Sequence, residues 1–364
     1  MARDIIIGDI HGCFDELQRL LADLAVTPAD RLISVGDLVD RGPRSAEVWE
    51  FFAARPNTVV LMGNHERKHV RGVLSFSQEI VRLQLGDRYD AFVRWASALP
   101  YALETPDVLV VHGGFECGVP LSEQREDVLA GTTSGTKHLE SLYPGRYWTD
   151  AYTGDKPIVF GHHVVGDEVK TWNDAAHGLD TGACHGGYLS ALVLPGFEVH
   201  RVPAARDYWS EQQAAWQVPV LERRGWAQRS RRSIERELAS LTPHRHDGVR
   251  AFAGRLRAWL DGLDALRPTL LHGASARLAE LRAQHDPAAL RRAIADEPMP
   301  AVLFAQLSEQ LEAQLSALLP TPEAVLQAAA ALGVDPGGLE RFPDPLTPLP
   351  THVPPLPAAE GHAP

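Results

Sequence analysis

The stretch Leu61-Met62-Gly63-Asn64-His65-Glu66 decides how this chain of 364 residues folds. An apolar run from Thr58 to Met62 ends at a glycine, and an amide and an imidazole follow that glycine directly. Buried parallel strands end in this way, because the loops at their carboxyl ends are where polar functional side chains collect. The stretch therefore predicts a buried strand followed by a loop that carries ligand-type side chains.

Other apolar runs of the chain end in the same pattern. Two earlier runs, Asp4 to Ile7 and Arg31 to Val35, lead into the loops Gly8-Asp9-Ile10-His11-Gly12 and Gly36-Asp37-Leu38-Val39-Asp40-Arg41-Gly42. Two later runs, Val108 to Val111 and Ile158 to Phe160, lead into His112-Gly113-Gly114 and Gly161-His162-His163. Apolar residues at helical spacing separate the first three runs, so the repeating unit is a strand, a polar loop and a helix.

The chain divides into three segments of different composition. Residues 1–205 contain every strand pattern and end in a predicted hairpin that turns at Pro195-Gly196. Residues 206–342 are rich in Ala, Leu, Arg, Glu and Gln at helical spacing, which predicts an α-helical extension. Residues 343–364 are rich in proline and predict a disordered or polyproline-like tail.

Charge and composition exclude several classes of protein. The formal net charge of -12 disfavours a long nucleic-acid duplex as the main partner, because duplex binding rests on a basic surface. Three cysteines at no metal-like spacing argue against a disulfide framework. With no signal-peptide pattern and no apolar run of about 18 residues, we expect a cytoplasmic protein without a membrane partner.

The polar side chains after the five strands form a candidate metal site. A mixture of carboxylate, imidazole and amide suits borderline cations, of which Mn²⁺ is favoured here, with Fe and Zn as alternatives. Six ligands exceed what one tetrahedral ion uses, so two divalent ions that share a carboxylate are the economical interpretation. The competing interpretation is that these are turn residues that cap helices. The candidate ligands are Asp9, His11, Asp37, Asn64, His112 and His162, with His163 as the alternative to His162.

In order and spacing, the five glycine-containing blocks closely resemble the phosphoprotein phosphatase branch of the calcineurin-like metallophosphoesterases. The Asp180-Thr181-Gly182 tract, with Gly186-Gly187, is similar to the bacterial and phage-type members. The resemblance covers about residues 1–205. It implies an α/β fold in which a metallophosphoesterase β-sandwich is flanked by helices, an αββα arrangement.

The resemblance also implies a role for each residue that matches a motif. Asp9 and His11 would hold the first metal, Asp37 would bridge, and the second would be held by Asn64, His112 and His162. His65 would be the general acid and Asp40 would orient its ring, while Arg41 would bind the phosphate oxygens. The sequence departs from many bacterial relatives at Trp148-Thr149-Asp150, where those relatives carry Trp-x-Arg, and Arg146 is the nearest candidate for a second phosphate-binding arginine.

Three functions remain open at this point. The favoured one is an enzyme that hydrolyses phosphomonoesters by direct attack of a metal-bridging hydroxide, similar to protein serine/threonine phosphatases. The alternative is a nucleotide-directed hydrolase, either a symmetrical dinucleoside tetraphosphatase or an RNA-end phosphatase or cyclic phosphodiesterase. The third is an adaptor that presents the helical extension to a partner, which the intact ligand set disfavours. Relatives specialised for dinucleoside polyphosphates commonly have Asn-His-Asp and vary the Asp-Arg-Gly block. This chain has Asn-His-Glu at residues 64–66 and Asp40-Arg41-Gly42, which favours the phosphoprotein substrate.

Overall fold

The computed structural model describes residues 3–350, whose first part is built on two β-sheets. Six strands form the first sheet: β1 (Asp4–Ile7), β2 (Arg31–Ser34), β3 (Thr58–Val60), β9 (Asp180–Thr181), β10 (Tyr188–Leu194) and β11 (Glu198–Pro203). Their order is β11-β10-β1-β2-β3, with β9 paired to β10 outside this path. The neighbours β1, β2 and β3 run parallel, so their carboxyl ends lie at one edge of the sheet.

The second sheet has five strands and a parallel centre. Its strands are β4 (Ala102–Glu104), β5 (Leu109–Val111), β6 (Ile158–Phe160), β7 (Lys170–Trp172) and β8 (Ala176–Gly178). The order is β4-β5-β6-β8-β7, in which β5, β6 and β8 run parallel and the two edge strands run antiparallel. The short strands β4, β7, β8 and β9 were not predicted from the sequence.

Alternating residues of the strands belong to different apolar clusters, as expected where each strand has two buried faces. In β1, Ile5 and Ile7 pack in the cluster that contains the first helices, whereas Ile6 packs in a cluster shared by strands of both sheets. In β6, Ile158 and Phe160 pack in a third cluster and Val159 in the shared one. The two sheets therefore form a sandwich with helices outside each face, and the predicted fold class is confirmed.

Eight helices complete this first part. They are α1 (Phe14–Asp23), α2 (Ser45–Ala54), α3 (Asn64–Val70), α4 (Phe76–Leu85), α5 (Tyr89–Ala96), α6 (Glu126–Leu129), α7 (Thr133–Leu142) and α8 (Tyr208–Glu222). Helix α2 begins at Ser45 with Arg44 at its N-cap, so Pro43 lies just before the helix. In the described part of the chain, no helix has the length and apolar character that crossing a bilayer requires.

A second compact unit comprises Gln217–Leu349 and is helical throughout. Its further helices are α9 (Arg231–Leu241), α10 (Asp247–Ala265), α11 (Arg267–Gln284), α12 (Pro287–Ala295), α13 (Pro300–Leu307), α14 (Leu311–Leu318) and α15 (Pro322–Ala331). The unit has its own apolar cores, one around Trp226 and Leu256 and another around Ala274 and Leu303. The predicted helical character of the C-terminal region is confirmed.

The boundary between the two units lies inside helix α8. The first unit runs to Trp216, whereas the sequence predicted a catalytic domain that ends at residue 205, a boundary that stays a prediction. The predicted proline-rich tail is described only as far as residue 350. Within it, the backbone N–H of Thr347 donates to Glu222 at 2.9 Å and its carbonyl accepts from Arg223 at 2.9 Å, and the remainder lies outside the described residues.

We predict that a chain of residues 1–222 is more stable than a chain of residues 1–205. The shorter chain lacks Tyr208, whose hydroxyl donates at 2.9 Å to the fully buried Glu16 carboxylate. A hydrogen bond to a charged group contributes about 2 kcal/mol, or roughly 4–8 °C in Tm at this size. Thermal unfolding by circular dichroism measures the difference, with Tyr208→Phe in the full chain as the matched variant. Equal Tm values for all chains would show that this contact does not stabilise the first unit.

Candidate metal centre

The candidate site lies where loops from the two sheets meet. Asp9 and His11 follow β1, Asp37 follows β2 and Asn64 follows β3, all in the first sheet. The candidates from the second sheet are His112 after β5 and His162 after β6. Backbone contacts join the loops, since the His162 N–H donates to both Asp9 carboxylate oxygens at 3.0 Å. All six predicted ligands are therefore brought to one region.

The Asp37 carboxylate lies at the centre of this region. Its Oδ2 is 3.6 Å from Nε2 of His11 and 3.9 Å from Nε2 of His65, and its Oδ1 is 3.4 Å from Nε2 of His112. Although burial opposes it, the imidazoles of His112 and His65 hold the pKa of Asp37 well below its usual range. Within residues 3–350, His, Cys and carboxylate donor atoms form two groups of metal-ligand spacing, and Asp37 belongs to both.

The first group of donors is His11, Asp37 and His65, and the second is Asp37, His112 and His162. The first group contains two members of the predicted ligand set and the second contains three, so the spatial grouping resembles the predicted pair of ions with Asp37 between them. Two details differ from the prediction. Asp9 is in neither group, and His65, predicted as the general acid, lies among the donors of the first group.

Contacts made by Nδ1 orient the His11 and His112 rings so that Nε2 faces Asp37. Nδ1 of His11 is 2.9 Å from the Val39 carbonyl oxygen, and Nδ1 of His112 is 3.1 Å from that of Val35. A carbonyl oxygen accepts, so Nδ1 carries the proton in each ring. When such a ring is neutral, its Nε2 has the free lone pair that a metal ligand requires.

The Asn64 side chain joins the ligands from the second sheet. Its Oδ1 is 3.1 Å from Nε2 of His112 and 3.0 Å from Nδ1 of His162. His163, the alternative to His162, instead stacks near Tyr147, with ring centroids 5.3 Å apart. The structure thus brings His162 into the donor cluster and places the His163 ring beside an aromatic side chain.

The Asp40 carboxylate contacts three side chains, of which the sequence predicted only His65. As predicted, its Oδ2 contacts the His65 ring, at 2.6 Å from Nδ1. Its Oδ1 is 3.1 Å from Nε2 of His69, and Nε2 of Gln78 donates to Oδ2. Despite complete burial, the contacts with His69 and His65 hold the pKa of Asp40 well below its usual range. His69 lies one helical turn after His65, which is the spacing that could have indicated its role.

Glu66 is a second residue whose role the sequence did not assign. Its fully buried carboxylate accepts the backbone N–H groups of Asp37 at 2.9 Å and Leu38 at 2.8 Å. Gly63 leaves room for this arrangement, because a Cβ there would lie 2.1 Å from Oδ1 of Asp37 and 2.8 Å from Oε2 of Glu66. The fixed spacing of Gly63 and Glu66 in the motif therefore serves to hold the Asp37 loop.

Several buried carboxyl groups in the region lack enough compensating positive charge. Burial and repulsion from Asp180 raise the pKa of Asp9 well above its usual range. Burial and the Asp37 carboxylate raise the pKa of Glu66 to about 8. Bound cations would offset this concentration of negative charge. Carboxylate, imidazole and amide donors around Asp37 therefore fit a divalent metal centre in both charge and chemistry.

The two predicted phosphate-binding arginines lie on different sides of the site. Nη1 of Arg41 is 3.1 Å from Nε2 of His11, so its guanidinium contacts a predicted ligand directly. Arg146 is exposed and lines a cavity of about 180 Å³ that also borders His162 and His163. Both phosphate-binding roles stay predictions.

The backbone at the site adopts a conformation that side chains usually avoid. His11, Asp37, Asp40, Arg41 and His162 all have φ between 46° and 73°, in the left-handed region. Such residues cost free energy of about 1–3 kcal/mol each and persist only where the surroundings impose them. Their concentration at the candidate site indicates that the loops adopt unfavourable backbone conformations in order to orient these side chains.

Fold and site together define the class of protein as a metallophosphoesterase. The chain belongs to the calcineurin-like phosphoesterase family, whose model matches residues 3–219. This confirms the predicted family and the prediction that the chain is a metal-dependent hydrolase. Members of this family use a dinuclear divalent metal centre, and the matched segment contains all of the predicted ligands.

The chain is similar to curated bacterial nucleotide hydrolases. It is 31% identical over 244 residues to the asymmetrical bis(5'-nucleosyl)-tetraphosphatase PrpE of Bacillus cereus strain B4264, over 57% of this chain and 96% of the relative. The corresponding PrpE of Anoxybacillus flavithermus is 30% identical over 238 residues, with the same coverage of 57% and 96%. A crystal structure of a candidate diadenosine tetraphosphatase matches with a TM-score of 0.47 and 29% identity, over 56% of this chain and 94% of that one.

We predict that Glu66→Gln weakens metal binding by about 10- to 100-fold, as loss of a residue that supports a metal ligand usually does. The amide nitrogen of glutamine would face a backbone N–H of Asp37 or Leu38, and two donors cannot pair. Calorimetric titration with Mn²⁺ measures the affinity. Glu123→Gln, at an exposed position outside the site, is the matched control. Unchanged affinity in Glu66→Gln would show that the Asp37 loop does not depend on this carboxylate.

Proposed function

We propose that the chain is a two-metal hydrolase of phosphate esters and anhydrides whose substrate is a nucleotide. One observation carries the proposal, which is the buried Asp37 carboxylate surrounded by three imidazole Nε2 atoms at 3.4, 3.6 and 3.9 Å. A carboxylate shared between two groups of donors is the arrangement that two adjacent cations need.

In this proposal Asp9 and His11 hold one cation, Asp37 holds both, and the second is also held by Asn64, His112 and His162. When bound, such cations stabilise charge on phosphoryl oxygens and lower the pKa of water from 15.7 to roughly 7. Mn²⁺ is the proposed ion, because the donors combine nitrogen and oxygen. A cation at His11 would take the lone pair that Arg41 now contacts, and the released guanidinium would bind phosphate oxygens as a planar fork.

His65 is proposed to donate a proton to the leaving group. Its Nδ1 contacts Asp40, so Nε2 is the nitrogen that faces Asp37 and the centre of the site. Asp40 is itself fixed by His69 and Gln78, which leaves the carboxylate little freedom to turn. Because the orientation of the ring is set in advance, little ordering is needed at the moment of proton transfer.

The choice between a phosphoprotein and a nucleotide depends on Glu66 and on the relatives. Glu66 was one of the two sequence features that favoured a phosphoprotein, but its buried carboxylate binds the backbone of Asp37 and Leu38. A residue in that position supports the metal loop and does not distinguish substrates. The curated relatives at 30–31% identity are described as dinucleoside tetraphosphatases, which favours a nucleotide substrate for this chain as well.

We predict that activity depends on added divalent metal and is highest with Mn²⁺. Protein treated with a chelator should lose hydrolysis of both an aryl phosphate and a dinucleoside tetraphosphate, and Mn²⁺ should restore both. A phosphopeptide in the same panel tests the competing substrate class. Full activity in protein shown to be free of metal would contradict the two-metal proposal, and activity confined to the phosphopeptide would contradict the nucleotide assignment.

We predict that the effect of His65→Ala depends on the leaving group. On an alkyl phosphate, whose leaving alkoxide is strongly basic, the rate should fall by a factor of about 10² to 10⁴. On an aryl phosphate the loss should be much smaller, and Asp40→Asn should show the same dependence in milder form. Metal content should stay near that of the unmodified protein, with His272→Ala, an exposed histidine of the second unit, as the control.

Loss of metal from His65→Ala would instead assign His65 to the first group of ligands, where its Nε2 lies within reach of Asp37. An equal loss on both substrates with metal retained would mean that His65 positions the phosphate.

A further inference from the structure

A groove of about 510 Å³ extends from the candidate metal centre along the first unit. Asn64 and His162 form one end of the groove. Helix α3 forms one wall, and the segment that begins helix α7 forms the other. The volume lies within the range of about 300–1,000 Å³ that is usual for sites that bind small molecules. The described site therefore continues into a space larger than a single phosphate needs.

The groove is lined by an excess of cationic side chains. Arg67, Lys68 and Arg71 come from α3 and its end, and Lys137 comes from α7. They face one carboxylate of the lining, that of Glu140. A local excess of positive charge in a protein of net charge -12 marks a place that attracts anions.

These cations are free to bind a ligand. Within residues 3–350, neither Lys68 nor Arg71 nor Lys137 forms an ion pair with a carboxylate. Nε of Arg67 donates to the Tyr101 hydroxyl at 3.3 Å, a neutral partner that leaves the charge of the guanidinium uncompensated. Some arginines elsewhere in this unit are paired with carboxylates, such as Arg44 with Glu47 at 3.1 Å and Arg125 with Asp127 at 3.0 Å.

The spacing of the cations indicates the length of the ligand. Helix α3 begins at the candidate ligand Asn64, and its residues rise by 1.5 Å each, so Arg71 lies roughly 10 Å along the axis from that ligand. One phosphate at the metal centre cannot reach that far. A ligand that uses the whole groove must carry several negative groups in sequence.

We propose that this groove binds the phosphates of a nucleoside polyphosphate that lie beyond the bond being cleaved. The inference rests on the proposed nucleotide hydrolase and assigns its substrate contacts to Arg67, Lys68, Arg71 and Lys137. Linked phosphates carry a negative charge at every unit, so they match a row of cations that leads away from the metal centre. A small polyanion also fits a groove of this volume.

The double variant Lys68→Ala/Arg71→Ala tests the proposal. Full-length protein with excess Mn²⁺ is assayed on a dinucleoside tetraphosphate and on a small aryl phosphate. The ratio of the two kcat/KM values should fall by roughly 10- to 100-fold, because only the tetraphosphate reaches both cations. Arg94→Ala on α5 is the matched control, since it removes an exposed arginine that does not line the groove.

A binding measurement separates this inference from the proposed function. A dinucleoside tetraphosphate in which a methylene group replaces every bridging oxygen between phosphorus atoms, so that none of these links can be hydrolysed, is titrated into both proteins by calorimetry with excess Mn²⁺. Weaker binding by the double variant supports the groove even if the wild-type chain hydrolyses no nucleotide. Equal binding, or an unchanged kcat/KM ratio in a chain that hydrolyses both substrates, overturns the groove while the hydrolase stands. A selective loss on a doubly phosphorylated peptide in place of the tetraphosphate also overturns it.

Discussion

The structure of the first unit depends on one buried carboxylate that is held among imidazoles. Asp37 is 2% exposed and lies within 3.9 Å of three histidine Nε2 atoms, so its negative charge is both desolvated and shared. A carboxylate in this position is stable only if its backbone cannot move. Glu66 provides that restraint by accepting the N–H groups of Asp37 and Leu38, and Gly63 provides the space. The motif residues therefore act as one support for a single side chain.

The imidazole rings around Asp37 are also held by contacts with neighbouring residues. Nδ1 of His11 and Nδ1 of His112 each contact a backbone carbonyl oxygen, and Nδ1 of His65 contacts the Asp40 carboxylate. In all three rings Nε2 therefore faces Asp37. Five left-handed residues give the loops the directions that these contacts need. The free energy of folding that these conformations cost is offset by burial in the surrounding sandwich, whose central strands β1, β2, β5 and β6 are almost completely buried. The buried strands thus stabilise the fold enough to keep the loop residues in these unfavourable conformations.

Substrate choice depends on features that lie outside the metal-binding motifs. Members of one family can share the donor set, so the donors define the chemistry without defining what is cleaved. In this chain the groove next to Asn64 adds cations at intervals along α3 and from α7. Because Glu66 is buried against the Asp37 loop, it no longer favours a phosphoprotein substrate. The length of the groove favours a substrate that carries several linked phosphates. Both arguments come from where the side chains point.

The sequence by itself determined the strand and loop units, the helical second region and which residues could be ligands. It could do so because strands, turns and helices leave local patterns of apolar, glycine and polar residues, which do not depend on contacts with distant parts of the chain. Only the tertiary structure decided that His65 lies among the donors, that His69 holds Asp40, and that Glu66 faces the backbone, because these contacts join residues far apart in the chain or on the hidden side of a helix. The edge strands β4 and β7 were also missed, since strands of three residues carry too little periodicity and are stabilised by their neighbours in the sheet. The groove likewise exists only where α3 and α7 come together, and the sequence shows its cations merely as scattered basic residues.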